Sequence, residues 1–306
     1  MRKSIIQKYF SNDLAWIIFK YDYYLEGTVD KVYKGHTLKI SCVDILPNGQ
    51  IVSGSWDKTL IVWKLNGEID KVLKGHTSLI TCLSVLSNGQ IVSGSYDKTL
   101  IIWKPDGGQI YKILKGHTNV INCVSVLSNG QIVSGSNDGT CIIWQLNGKI
   151  DKILKGHSGL IHCVSALPNG QIVSGSDDKT LIIWEFDGRI NKILKSHSEV
   201  VKCVNVLPNG QIVSGSGDRS IIIWKVNGQI DKILTGHEHA VICLNILPNR
   251  QIISGSTDET CMIWNPDGGE IDKILKGHTY AVTYIGILPN KQIITSSNDK
   301  TLIIWK

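Results

Sequence analysis

Residues 69–103 read IDKVLKGHTSLITCLSVLSNGQIVSGSYDKTLIIW, from Ile69 to Trp103. Ile69 to Lys74 makes a short strand that carries Lys71 and Lys74. Ile80 to Leu86 is a second strand, apolar and rich in β-branched side chains. Asn88-Gly89 then turns the chain, because both residues accept positive φ cheaply. Gln90 to Ser95 returns, Tyr96-Asp97-Lys98 turns again, and Thr99 to Trp103 ends the unit as a strand apolar on both faces. Such a strand must be covered on both sides. The stretch therefore predicts a four-stranded antiparallel sheet with other sheets packed above and below it.

The same unit returns seven times. Its histidines are His36, His76, His117, His157, His197, His237 and His278, at spacings of 40, 41, 40, 40, 40 and 41. The tryptophans keep step at Trp63, Trp103, Trp144, Trp184, Trp224, Trp264 and Trp305. A unit this short cannot bury a core alone, so neighbours must stack. Asn66-Gly67, Asn147-Gly148, Asp187-Gly188 and Asn227-Gly228 join the tryptophan strand to the next lysine strand. The two longer spacings coincide with Pro105-Asp106-Gly107-Gly108 and Pro266-Asp267-Gly268-Gly269, an insertion confined to that turn. The last unit ends on Thr301 to Lys306 with no outer strand after it, and the first begins with an unpartnered strand, Thr28 to Tyr33. Pairing these two closes the stack and removes an open edge.

The recurring Gly-His, Ser-Gly-Ser-x-Asp and Ile-Ile-Trp motifs, seven in phase, resemble those of the WD-repeat β-propeller family. The resemblance covers residues 27–306 and leaves residues 1–26 as a leader. It implies an all-β fold, a seven-bladed β-propeller of four-stranded antiparallel blades closed by the first outer strand pairing with the C-terminal strand. Two departures stand out: the residue after each tryptophan is never aspartate, and Lys195-Ser196-His197 replaces Lys-Gly-His in the fifth unit.

The resemblance also implies a buried polar network in every blade. Its members are His36, Ser53, Asp57 and Trp63 in the first unit, and His76, Ser93, Asp97 and Trp103 in the second. The third has His117, Ser134, Asp138 and Trp144, and the fourth His157, Ser174, Asp178 and Trp184. The fifth has His197, Ser214, Asp218 and Trp224, the sixth His237, Ser254, Asp258 and Trp264, and the seventh His278, Thr295, Asp299 and Trp305. Ser, His and Asp together invite a hydrolase reading, but triads are defined by geometry and roles. Seven copies, a hydroxyl expected under an indole and no nucleophile elbow argue for a structural network. No separate catalytic constellation, metal-ligand spacing or cofactor motif accompanies it, so no cofactor and no enzyme activity are expected.

Composition narrows the partners. The formal net charge of +6 is modest, and the excess lysine sits at equivalent places (Lys71 and Lys74, Lys112 and Lys115, Lys152 and Lys155), as expected of outer strands guarded against aggregation. Nucleic acid is an unlikely partner on that charge. Six of the eight cysteines (Cys42, Cys82, Cys123, Cys163, Cys203 and Cys243) occupy one repeat position; Cys141 and Cys261 replace a leucine. Equivalent positions are not brought together to pair, and buried thiols point to a reducing, intracellular compartment. Leu14 to Phe19 is too short to span a bilayer, so no membrane partner is expected.

Positions where the repeats disagree are the candidates for recognition. The residue before the network aspartate is Trp56, Tyr96, Asn137, Asp177, Gly217, Thr257 or Asn298. Five after the histidine stand Ser41, Thr81, Asn122, His162, Lys202, Ile242 and Thr283; three after it stand Lys39, Leu79, Val120, Leu160, Val200, Ala240 and Ala281. In WD-repeat proteins these places face the channel mouth on the top surface, where protein and peptide partners dock. Carried over, they give an aromatic anchor of Trp56 and Tyr96 beside Lys39 and Leu79. A polar sector opposite is expected from Asn122, Asn137, His162 and Asp177, with Lys202 near it. Drift among duplicated turns is the competing explanation. The resulting expectation is a protein-interaction scaffold.

In the leader, Ser11-Asn12-Asp13 can cap a helix with Leu14, Ile17, Ile18, Tyr21 and Leu25 on one face. This stretch resembles the opening of an F-box, which implies a ubiquitin-ligase linker as partner and substrate recognition as the alternative function. Only one helix's worth of the motif is present, and packing against the chain's own domain is the other reading.

Overall fold

The structure, a computed structural model, describes residues 29–104 and 108–306. The leader helix and its F-box-like stretch lie outside the described residues. Among the described residues there are 28 strands in seven four-stranded sheets. Blade one runs Ile40–Ile45, Ile51–Ser55, Thr59–Trp63 and Ile69–Lys74 from the channel outward. Blade two follows with Ile80–Val85, Ile91–Ser95, Thr99–Trp103 and Ile110–Lys115. The stretch from Ile69 to Trp103 is therefore not one sheet as expected: Ile69–Lys74 pairs with Thr59–Trp63 of blade one. Blades three to six repeat the pattern. Blade seven takes Val282–Ile287, Ile293–Ser297 and Leu302–Trp305 from the end of the chain and Val29–Tyr33 from its beginning. That last pair is antiparallel, with Val29 opposite Trp305 and Tyr33 opposite Leu302. The ring is closed as the sequence predicts.

Burial follows strand position. In blades one to six the second strand is buried at every residue, as are the last four residues of the third, so both faces are packed. Seven apolar clusters lie between adjacent blades rather than within them; one joins Cys42, Val52, Leu60 and Leu73 of blade one to Ile80, Ile91 and Trp103 of blade two. Each of the seven repeat tryptophans, Trp63 to Trp305, is at most 2% exposed. A lone blade has no core of its own, which is why the stack is the folding unit.

The lysines of the outer strands do more than guard edges. Lys31 Nζ donates to Leu65 O of the next blade at 3.0 Å, and Lys152 Nζ to Phe186 O at 2.7 Å. Lys112 and Lys192 reach the carbonyls of Asn147 and Asn227 in the same way, and Lys232 that of Pro266 at 2.9 Å. Each latches one blade to the outer turn of its neighbour.

Two local devices aim side chains at the channel. Asn-Gly turns place Gly49, Gly89, Gly130, Gly170 and Gly210 at positive φ. A bulge interrupts every innermost strand, between Ile40 and Cys42 in blade one and between Ile161 and Cys163 in blade four. The bulged residue (Ser41, Thr81, Asn122, His162, Lys202, Ile242 or Thr283) leaves the ladder, and its side chain turns toward the channel mouth or the next blade.

Candidate functional site

The polar networks are the best-satisfied part of the molecule. In blade one Trp63 Nε1 donates to Ser53 Oγ at 2.7 Å, and Ser53 Oγ meets His36 Nε2 at 2.8 Å. His36 Nδ1 lies 2.8 Å from Asp57 Oδ2. An indole N–H can only donate, so the hydroxyl proton goes to Nε2 and Nδ1–H to the carboxylate. Asp57 also accepts the N–H of Thr37 and Thr59 and the Thr59 hydroxyl. The remaining blades repeat this to within 0.2 Å, with Thr295 Oγ1 substituting in blade seven. The network pins the histidine loop to the turn after the second strand.

Burial pushes the imidazoles of His36, His117, His157 and His197 below their ordinary value, against the pull of their aspartates. Partial burial opposes the charge on Asp97, yet hydrogen bonds from His76 and Thr99 hold it well below the usual carboxylate range. Each hydroxyl is 0% exposed and already engaged on both sides. It cannot reach a substrate as a nucleophile.

The channel mouth on the top face is different. An opening of about 410 Å³ is lined by Lys39, Trp56, Tyr96, Asn122, His162 and Lys202, together with the Ser41, Thr81, Ile242 and Thr283 positions. Lys39 Nζ sits 4.6 Å from the centroid of the Trp56 ring, and burial lowers its pKa. Tyr96 is exposed, at 42%. The aromatic pair and Lys39 thus share one wall. Leu79, half-buried, does not line the opening; its carbonyl accepts the backbone N–H of Tyr96.

The polar candidates form two couples. Asn122 Nδ2 donates to Asn137 Oδ1 at 2.6 Å and to Ile161 O at 2.8 Å. His162 Nε2 pairs with Asp177 Oδ1 at 2.5 Å, and Lys202 Nζ stands 3.5 Å from the same ring nitrogen. Burial, then the Lys202 charge, lowers the His162 pKa, against Asp177. Asn137 and Asp177 therefore hold mouth residues in place without lining the opening. Asn122 and Asn137 belong to blade three, which adjoins blade two, and His162 and Asp177 to blade four, so the polar sector begins beside the aromatic one rather than opposite it.

Several bulge residues are also joints. Ser41 Oγ donates to Ile80 O at 2.6 Å, and Thr283 Oγ1 to Ile40 O at 2.8 Å. Where His162, Lys202 and Ile242 interrupt that series, only thiols approach the next blade's carbonyl, with Cys163 Sγ 4.0 Å from Val201 O. The eight cysteines are free. Burial pushes the thiols up, those of Cys82, Cys141 and Cys163 to about 12, so they stay protonated and unreactive.

Two exposed residues were missed from the sequence. Leu38 and Tyr280, two after their histidines, are 46% and 61% exposed on blades one and seven. An aromatic at a solvent turn was the available signal, at a repeat position not compared. Deeper in the channel, burial pushes Asp44 up to about 6, although the N–H groups of Ile45 and Val85 support its charge.

No curated protein matches the chain. The family described as WD domain, G-beta repeat matches seven stretches, residues 27–64, 67–104, 108–145, 148–185, 188–225, 228–265 and 269–306. Propellers of this kind commonly serve as protein-interaction scaffolds. With seven matched repeats, seven sheets and a polar network in each, the chain belongs to the WD-repeat family.

Proposed function

We propose that this protein is a non-enzymatic scaffold that binds protein or peptide partners on the top face of the propeller. The observation that carries the reading is the wall of the channel mouth formed by Trp56, Lys39 and the exposed Tyr96. Large aromatic side chains at a rigid concave rim supply contact area at low conformational cost. Leu38 and Tyr280 add exposed apolar side chains on blades one and seven, outside the lining of the opening. The couples of Asn122 with Asn137 and of His162 with Asp177 offer fixed polar groups for orienting a backbone. The frame holds the mouth still, so binding orders few protein groups.

The test is a Trp56→Ala/Tyr96→Ala double variant compared with the parent protein in quantitative affinity purification from native lysate. Loss of specific partners supports the reading. An unchanged partner set, with the variant folded, removes it.

A further inference from the structure

Blade six departs from the repeat pattern at three places; two of them line one groove, and the third, Glu259, stands between the lining residues Asp258 and Thr260. The residue after the histidine is Thr or Ser in six repeats and Glu238 here. The residue after the network aspartate is Lys, Arg or Gly in six and Glu259 here. The middle of the third strand is Ile in six and Met262 here. Glu238 and Met262 line a groove of about 700 Å³ on the wall of blade six, whose floor is completed by Ile271 and Ile274 and whose rim carries Glu270 and Asp272 with one cation, Lys276, and the network aspartate Asp258. Met262, Ile271 and Ile274 belong to the cluster facing blade five. Glu238, Glu259, Glu270 and Asp272 are all exposed.

The equivalent groove in blade two shows that this is not a generic feature of the fold. It is lined by Thr77, Lys98, Ile101, Ile113 and Lys115, about 470 Å³ in volume, and its one lining carboxylate is the network aspartate Asp97. Of these two grooves, the one in blade six combines the more acidic rim with an apolar floor. The complementary ligand is an extended or helical segment that carries basic and apolar side chains together.

The chain contains such a segment. Residues 1–10 hold Arg2, Lys3 and Lys8 with no acidic residue, interleaved with Ile5, Ile6, Tyr9 and Phe10. The chain enters the propeller at Val29, on the outer strand of blade seven, next to blade six. The intervening residues 11–28 reach up to roughly 60 Å when extended. A four-stranded blade is only about 20 Å across.

We propose that residues 1–10 dock in the acidic groove of blade six, with the lysines and arginine against Glu238, Glu259, Glu270 and Asp272 and the apolar side chains over Met262 and Ile274. The contact is independent of the top-face site.

The test is zero-length carbodiimide coupling of the full chain, mixed as equal parts isotope-labelled and unlabelled protein and read by mass spectrometry. The expected product joins Lys3 or Lys8 to one of the four groove carboxylates within a single chain. The yield of the product at Asp272 should fall about fivefold when the other three carboxylates are neutralised by Glu238→Gln/Glu259→Gln/Glu270→Gln, and again at about 0.5 M salt, where the screening length is only a few ångströms. Products that join labelled to unlabelled chains would mean a second copy occupies the groove, and coupling spread equally to Glu68, Glu185 and Glu199 would mean no docking; either overturns the proposal. A second measurement leaves the propeller untouched: Arg2→Glu/Lys3→Glu/Lys8→Glu should speed amide exchange in Ile271–Lys276 severalfold. Unchanged exchange there counts against it equally.

Discussion

A Cβ atom on Gly54 would stand 2.6 Å from the Sγ of Cys42. The same conflict, at 2.6 or 2.7 Å, links Gly94 to Cys82, Gly135 to Cys123, Gly175 to Cys163, Gly215 to Cys203 and Gly255 to Cys243. In blade seven both partners change: Ser296 replaces the glycine and Tyr284 the cysteine. The Tyr284 ring lies instead against Gly286, where a Cβ would stand 3.2 Å from it, and against Ile45 of blade one. The thiol and the missing side chain are two halves of one packing solution.

Gly135→Ala should therefore destabilise the propeller by about 1–3 kcal/mol, the usual cost of overpacking. Adding Cys123→Ala should restore only part of this, because Ile161 Cγ2 of the next blade is also 2.6 Å away. Urea unfolding of the two variants checks it.

The network hydroxyl predicts a contrast between two substitutions. Ser174→Ala strands both the Trp184 N–H and His157 Nε2 in a buried site and should cost about 2 kcal/mol or more. Ser174→Thr should cost far less, since Thr295 already makes the same bonds in blade seven. Equal losses in thermal unfolding would refute the role assigned to the hydroxyl.

Closure predicts the effect of truncation. Removing residues 1–33 takes away the outer strand of blade seven, leaves the outer edge of Leu302–Trp305 without a partner and deletes the latch from Lys31 to Leu65 O. The truncated protein should melt well below the full chain and self-associate through the exposed edge. An unchanged melting temperature by calorimetry would count against closure.

Asp44 gives a pH-dependent prediction. Its folded pKa, about 6, is raised above the ordinary carboxylate value, so the folded state binds the proton more tightly. Its ionisation penalises folding fully above pH 6, and the penalty disappears as the pH falls through the unfolded value, roughly 4. Asp44→Asn should therefore gain stability over the parent at pH 8, by up to about 2–3 kcal/mol, with the gain shrinking toward pH 5. The histidines act oppositely. Burial lowers the pKa of His36, His117, His157 and His197, so their contribution is present above roughly pH 6.5 and is lost as the pH falls through the folded values. Chemical unfolding at pH 5, 6.5 and 8 checks both.

The frame was legible because it is periodic. Asn88-Gly89, the apolar run Thr99 to Trp103 and the unpartnered strand before Tyr33 each carry a local signal, and repetition averages away the noise in any one copy. The site was legible only as variation. Trp56, Tyr96 and Lys39 could be named from it, but their shared wall depends on how the bulge after Ile40 turns the chain. The carbonyl latches of Lys112 and Lys152 were hidden, since a lysine on an edge strand reads as solvated until the neighbouring turn is in place. Asn137 and Asp177 were nameable as variable, yet their service to Asn122 and His162 is a contact across 15 residues that no period encodes.

The pairing of Val29–Tyr33 with Leu302–Trp305 also sets a timetable for biosynthesis. Blades one to six can assemble in order as each leaves the ribosome, every new sheet settling on the one before. The opening strand must wait, unsatisfied, until residue 305 has emerged to receive it. Until then the nascent arc carries an unpaired β-edge, and chaperones that shield such edges would be needed most before that pairing is made.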